Sequence, residues 1–340
     1  MQILDVKDLL SSVPNLTGRH LLTLDDFTEE EVNGILDVAI ELKRWFRNDT
    51  TRKEASELQP LLGRSVALIF QKRSTRTRLS METGISKLGG LPIFLGSDDI
   101  QLGVNESLSD SARVISRFND VIAARVFGHH SVEELASLST VPVVNMLSDK
   151  FHPLQLLADM MTLREYYGSD DTKGRTIAYV GDGNNMAHSF VVTSPKLGYN
   201  LRVATPNGFS TLNDVQEMGF KEAKAKGTEI LFTEDPQEAV EGADVIVTDT
   251  VRPDHFLSSL FSLSLSLSLS PTPHTHTHIH RTSGFLWDKN LRRMHVSRLS
   301  MDIKSQTRWQ KAQTRIGSFF IVYLENLKKF LMKCFTRIDR

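Results

Sequence analysis

The run "FQKRSTRTRLS" at residues 70–80 sets Ser74, Thr75, Arg76, Thr77 and Arg78 in succession after the apolar segment "SVALIF". A strand-length apolar run followed at once by hydroxyls and guanidiniums reads as a strand whose closing loop opens a helix. Free N–H groups and the positive end of the helix dipole favour an anion there. Hydroxyls and an Arg fork match phosphate oxygens. A capped surface helix with solvated arginines is the plainer alternative, and these residues alone leave both open.

A second cluster lies at "FHPLQLLAD", residues 151–159. His152 precedes Pro153, which suits the first helical position, and Gln155 follows three residues after His152. A pre-proline His at a strand end can point into the cleft the helix borders, although a lone His is commonly just a structural hydrogen-bonding residue. Arg125, inside the apolar run "VIAARVF", needs a partner for its charge, and a bound anion would supply one. The third cluster, "YVGDGNNMAHS", offers Gly181 and Gly183 without a third glycine in register. The next strand-like segment, "LRVATPNG", lacks the acidic residue that holds a ribose. An anion-plus-amine site is therefore expected in preference to a nicotinamide cofactor.

The elements that must position these residues alternate along the chain. Strand-length apolar runs occur at 65–70, 121–127, 141–146, 176–181, 201–205, 229–233 and 244–249, with helical stretches such as "HPLQLLADMMTLREYYG" and "STLNDVQEMGFKEAKAKG" between them. Such alternation predicts α/β architecture with parallel sheets covered by helices, and ligands at the carboxyl ends of strands. Ahead of them, "FTEEEVNGILDVAIELKRWF" puts Val32, Ile35, Leu36, Val38, Ala39 and Leu42 at helical spacing. Thr28 and Glu31 stand where a capping box would place them.

Composition agrees with a globular chain. The 340 residues suffice for two domains, 40% are hydrophobic and 24% charged. No apolar run reaches the roughly 18 to 20 residues of a membrane-spanning helix. One cysteine, Cys334, excludes an internal disulfide framework. The first twenty residues carry Asp5 and Asp8 and resemble neither a signal nor a transit peptide. The net charge of -1 conceals a division: residues 252–340 hold 15 of the 40 Lys+Arg and 5 of the 41 Asp+Glu, which puts them at +10 and the rest at -11. Those basic residues are scattered, so no nucleic-acid partner is expected.

Taken in order, "STRTR", "LGVNESLSDSARV", "ARV", "FHPLQLLAD", "GDGNN" and "TDT" resemble the carbamoyltransferases, and within them the ornithine carbamoyltransferase group of animal type, over roughly residues 15–250. The resemblance implies two Rossmann-like α/β domains, the second truncated: 1–160 for carbamoyl phosphate, 161–250 as a partial ornithine domain, and an irregular or disordered tail at 251–340. By resemblance, Ser74, Thr75, Arg76 and Thr77 hold the phosphate, and Arg125, His152 and Gln155 contact the carbamoyl end and the phosphate. Arg125, His152 and Thr77 form the catalytic set that polarises the carbonyl oxygen. Asn185 binds the backbone groups of ornithine and Asp249 its α-amino group. The implied products are L-citrulline and phosphate, a step of arginine metabolism and the urea cycle. Further implications are the absence of any metal or organic cofactor, a homotrimer with "LGVNES" reaching a neighbour, no membrane partner, and a home in the mitochondrial matrix, with the cytoplasm as the alternative.

The resemblance stops after Thr250, where "VRPDHF" replaces the family's Ser-Met-Gly loop; a His-Cys-Leu-Pro signature is also missing. Beyond it, "SLSLSLSLS" and "HTHTHIH" alternate two residues at a time. Four histidines along one strand face cannot wrap tetrahedrally round an ion, so no metal site is expected there. Repeated TC and CA dinucleotides encode Ser-Leu and His-Thr, and Val251-Arg252 can be written as a splice donor. The expectation is that the sequence from about residue 251 is translated intron. A catalytically inactive or unstable relative that at most binds carbamoyl phosphate therefore stands as the alternative reading.

Overall fold

The computed structural model describes residues 15–47, 57, 59–97, 107–168 and 171–249, together with the backbone of 280–281. Two parallel sheets organise it. In the first, β1 (Ser65–Phe70), β2 (Leu91–Gly96), β3 (Val121–Arg125) and β4 (Val143–Leu147) lie in the order β2-β1-β3-β4. In the second, β5 (Thr176–Val180), β6 (Asn200–Ala204), β7 (Ile230–Thr233) and β8 (Val245–Thr248) lie in the order β7-β6-β5-β8. A two-residue strand, β9 (His280–Arg281), pairs in parallel with the free side of β8. The remainder of the tail, including the Ser-Leu repeat, the His-Thr repeat up to Ile279 and Cys334, lies outside the described residues, as does the "LGVNE" portion of the loop before Ser107.

The helices are α1 (Glu29–Arg47), α2 (Thr75–Lys87), α3 (Leu108–Phe118), α4 (His129–Leu138), α5 (Pro153–Tyr167), α6 (Asn185–Thr193), α7 (Asn213–Lys226) and α8 (Pro236–Val240). The predicted capping box opens α1: Thr28 Oγ1 accepts the Glu31 N–H at 3.2 Å, and Glu31 Oε2 accepts the Thr28 N–H at 2.9 Å. All six apolar residues expected on its inner face are buried. β2 was not among the expected strands. It begins Leu91-Pro92, and as the outer strand of its sheet it tolerates the missing N–H.

One apolar core is continuous through both sheets. Leu68 and Val144 of the first, Tyr179 and Val203 of the second, Leu36 of α1, Leu157 of α5 and Phe190 of α6 belong to it. α5 starts at the end of β4, runs unbroken through residue 160 to Tyr167 and packs on both α1 and α6. Polar ties reinforce the joint. Lys196, almost wholly buried after α6, donates to the carbonyls of Leu24, Asp25 and Phe27 at 3.1, 2.7 and 2.8 Å. A buried ammonium is tolerated when its donors are all used, and here three carbonyls use them.

Candidate active site

At the carboxyl end of β1 the chain turns into α2 as the alternation of the sequence requires. Ser74 is the N-cap, with extended backbone (φ -160°, ψ 117°). Its Oγ accepts the Thr77 N–H at 3.2 Å and donates to Thr77 Oγ1 at 2.9 Å. Thr75 and Arg76 stand exposed on the first turn, and Thr77 is buried beneath them. Arg78 turns away: it pairs with Glu82 at 3.0 Å and lies 3.5 Å over the Phe94 ring, so it leaves the group of donors that the sequence suggested.

Arg125 ends β3 next door, and its Nη1 donates to Thr77 Oγ1 at 3.4 Å. A register shift in the β3–β4 pairing falls between Ala124 and Arg125, the kind of irregularity that re-aims a side chain at a sheet rim. Lys72, in the loop after β1, adds positive charge: burial first and Arg125 second hold its ammonium below the usual lysine range. Both effects describe a cationic recess in which an anion would relieve repulsion.

His152 is the N-cap residue of α5, with Pro153 in the first turn as its sequence predicted. The ring is buried, and burial followed by the Arg125 charge lowers its pKa to about 3. It is therefore neutral at physiological pH and can offer one N–H without carrying a proton in reserve. Gln155, one turn on, is half-buried, and its Nε2 donates to Asp159 Oδ1 at 3.1 Å.

The second sheet meets the segment between β4 and α5 through α6. Asn184 caps the helix, its Oδ1 accepting the N–H groups of Met186 and Ala187, while its Nδ2 donates to Asp249 Oδ2 at 2.8 Å. Thus Asn184, not singled out from the sequence, orients Asp249. Asn185 reaches across instead, donating to the Ser148 carbonyl at 2.6 Å. Two further residues on that helical face do likewise. His188 donates from Nδ1 to the Lys150 carbonyl at 2.9 Å, and Ser189 Oγ accepts the His152 N–H at 2.9 Å. Gly183 permits the close backbone approach behind: a Cβ there would sit 2.4 Å from Ser210 C and Thr211 N.

Asp159 is the site's other unforeseen member. It is buried, and its pKa is raised to about 7 by burial first, with the Gln155 hydrogen bond opposing and Asp249 adding to the rise. Among the described residues no three His, Cys, Asp or Glu side chains are grouped to hold a metal ion. No described helix is long and apolar enough to cross a membrane.

Comparisons with known proteins give the family. Residues 19–165 match the aspartate/ornithine carbamoyltransferase, carbamoyl-P binding domain, and residues 173–255 match the Asp/Orn binding domain of the same family. The mitochondrial ornithine carbamoyltransferase of Aquarana catesbeiana is 49% identical over 236 residues, 69% of this chain and 65% of that protein. The ornithine carbamoyltransferase of Wolinella succinogenes is 48% identical over 233 residues, 68% of this chain and 73% of that protein. The chain thus spans about 65% of the length of its animal relatives. Among solved structures, the ornithine carbamoyltransferase of Pyrococcus furiosus superposes with a TM-score of 0.73 at 33% identity, covering 94% of this chain and 99% of that one. With two parallel sheets joined through α5 and α6 and both family domains matched in order, the chain belongs to the ornithine carbamoyltransferase family.

Proposed function

We propose that the chain is built to transfer the carbamoyl group of carbamoyl phosphate to the δ-amine of L-ornithine, giving L-citrulline and phosphate, with a homotrimer as its assembly and the mitochondrial matrix as its place of work. The observation that carries the reading is the hydrogen bond from Arg125 to Thr77 at the Ser74-capped helix terminus, with the Arg125 charge also acting on the neutral His152; Asp249, held by Asn184, is the anionic group of the second sheet.

In this reading the phosphate sits on the first turn of α2, held by Ser74, Thr75, Arg76 and Thr77. Arg125, His152 and Thr77 donate to the carbonyl oxygen, and Gln155 meets the carbamoyl nitrogen. The neutral δ-amine attacks the carbonyl carbon, so a C–N bond forms and the oxygen takes negative charge. That oxyanion collapses, the bond from the carbonyl carbon to the bridging oxygen breaks, and phosphate leaves with that oxygen and takes up the proton that the amine gives up. Each donor aimed at the oxyanion is worth about 3 to 4 kcal/mol in such sites. His152 serves as a donor and not as the proton store, because its pKa of about 3 leaves it nothing to give up at neutral pH. Asp249 is an anionic partner for the α-ammonium group, held by Asn184.

The second reading, a relative that binds carbamoyl phosphate without turning it over, draws on the loss of family signatures after Thr250. A citrulline assay on the 340-residue chain separates the two. Turnover abolished by Arg76→Ala supports the transferase, whereas phosphate binding without citrulline formation supports the second reading. Sequencing the transcript across the Thr250 codon tests the intron expectation: a message continuing into a Ser-Met-Gly loop supports it.

A further inference from the structure

The Gln155 amide has two ends of almost the same size and opposite hydrogen-bonding sense. Which end faces the cleft decides whether the site accepts or donates a hydrogen bond there. In the structure the choice is made one helical turn along α5, where Gln155 Nε2 donates to Asp159 Oδ1 at 3.1 Å. A carboxylate can only accept, so it draws the NH2 end inward and leaves Oε1 for a ligand. If Asp159 takes up a proton on Oδ2, the oxygen with no partner among the described residues, Oδ1 remains an acceptor and the orientation holds.

We propose that Asp159 is a positioning residue for specificity: by fixing the Gln155 amide it makes the site select acyl phosphates that carry an N–H2 on the acyl carbon over those that carry a methyl group in its place. The inference rests on the carbamoyl phosphate reading above and deepens it. Carbamoyl and acetyl phosphate have nearly the same shape, so volume cannot separate them. A buried acceptor can, because a methyl group leaves Oε1 unsatisfied in a half-buried position. Charge alone does not explain the residue. It is the acidic member of the otherwise apolar stretch "LLADMM", buried and within the field of the negative Asp249, an arrangement that costs folding stability. A purely structural role is better filled by an apolar residue of the same volume.

The experiment measures binding to the full chain by calorimetry, with three probes: inorganic phosphate, phosphonoacetamide, and acetonylphosphonate, which replaces the amide NH2 by methyl. The wild-type chain is expected to bind phosphonoacetamide about 10-fold more tightly than acetonylphosphonate. In Asp159→Leu that preference collapses to within about 3-fold, while phosphate affinity and the thermal midpoint at pH 8 do not fall. Asp159→Asn, which can keep an oxygen at the Oδ1 position, restores most of the preference. Gln155→Met reproduces the collapse and stands in if Asp159→Leu does not fold. An Asp159→Leu chain that binds phosphate and still prefers phosphonoacetamide as the wild type does overturns the proposal. A wild-type chain that binds phosphate but does not discriminate between the two phosphonates also overturns it. If no probe binds the folded wild type, the carbamoyl phosphate reading fails first and takes the proposal with it.

Discussion

Above about pH 5, replacing Asp159 by Asn should make the protein more stable, and increasingly so as the pH rises toward 7. In the unfolded chain this carboxyl titrates near its ordinary 3.8; in the folded one burial, the chief cause, takes it to about 7 against the opposing hydrogen bond from Gln155. Between those values the unfolded state holds fewer protons than the folded state, so stability falls as pH rises from about 4 to about 7 and then levels off. The full separation corresponds to about 4 kcal/mol, at roughly 1.4 kcal/mol for each pH unit. Asn fills the same volume without titrating. Its extra N–H group meets the position where Oδ2 has no partner among the described residues, at a cost of about 1 kcal/mol. The variant should therefore be equal to or slightly weaker than the wild type at pH 4 and ahead by about 3 kcal/mol at pH 8. Urea denaturation of both proteins at pH 4.5, 6, 7 and 8, read by fluorescence, measures the difference. A wild type minus variant difference that is flat across this range, or that moves in the wild type's favour with rising pH, refutes the reasoning.

Other consequences are equally direct. The His152 ring should stay neutral from pH 5 to 8 in the free protein and gain basicity when inorganic phosphate offsets Arg125, which ring-carbon NMR titration reads; a ring that titrates near 6.5 in the free protein contradicts its burial. Ser74→Ala and Thr28→Ala each delete an N-cap and should each cost about 1 kcal/mol in denaturation, but only Ser74→Ala should weaken phosphate binding. Gly183→Ala forces a Cβ within 2.4 Å of the backbone at Ser210 and Thr211 and should destabilise by about 2 kcal/mol or more in the same assay. Ser189→Ala leaves the His152 N–H without its acceptor and should speed hydrogen exchange at that amide about tenfold, measured by NMR.

Much of this arrangement is legible in the sequence where a local rule decides the outcome. Thr28 with Glu31, and Pro153 after His152, are helix starts written in consecutive residues, and both open helices as expected. The runs around β1 and β3 to β8 match the observed strands to within two residues, because strands of a parallel sheet buried on both faces are continuous apolar segments. β2 escapes because Pro92 argues against a strand, and only its outer position in the sheet, a tertiary fact, makes Pro harmless. Arg78 has the same local credentials as Arg76. What separates them is Phe94, on a strand whose place no spacing in the sequence predicts. Asp159 was open to the reasoning applied to Arg125, a charge in an apolar run needing a partner, yet its neighbour Asp249 lies 90 residues away.

The position of His152 is not a property of the first sheet by itself. Three residues on one face of α6 reach alternate positions of the segment that leads into α5: Asn185 to the Ser148 carbonyl, His188 to the Lys150 carbonyl and Ser189 to the His152 N–H. The three residues act together because i, i+3 and i+4 share a helix face, which here meets a segment bent at Asp149 and Lys150. His188 cannot serve here as an imidazolium: Nδ1 donates to Lys150 while Nε2 accepts the Leu212 N–H at 3.2 Å, so both ring nitrogens are committed in the neutral form. Lys150 adds an ion pair to Asp214 at 2.6 Å, next to the start of α7. Whatever moves α6 therefore moves the segment carrying His152. The second sheet's α6 and the segment that leads into α5 are tied by three hydrogen bonds from one helix face.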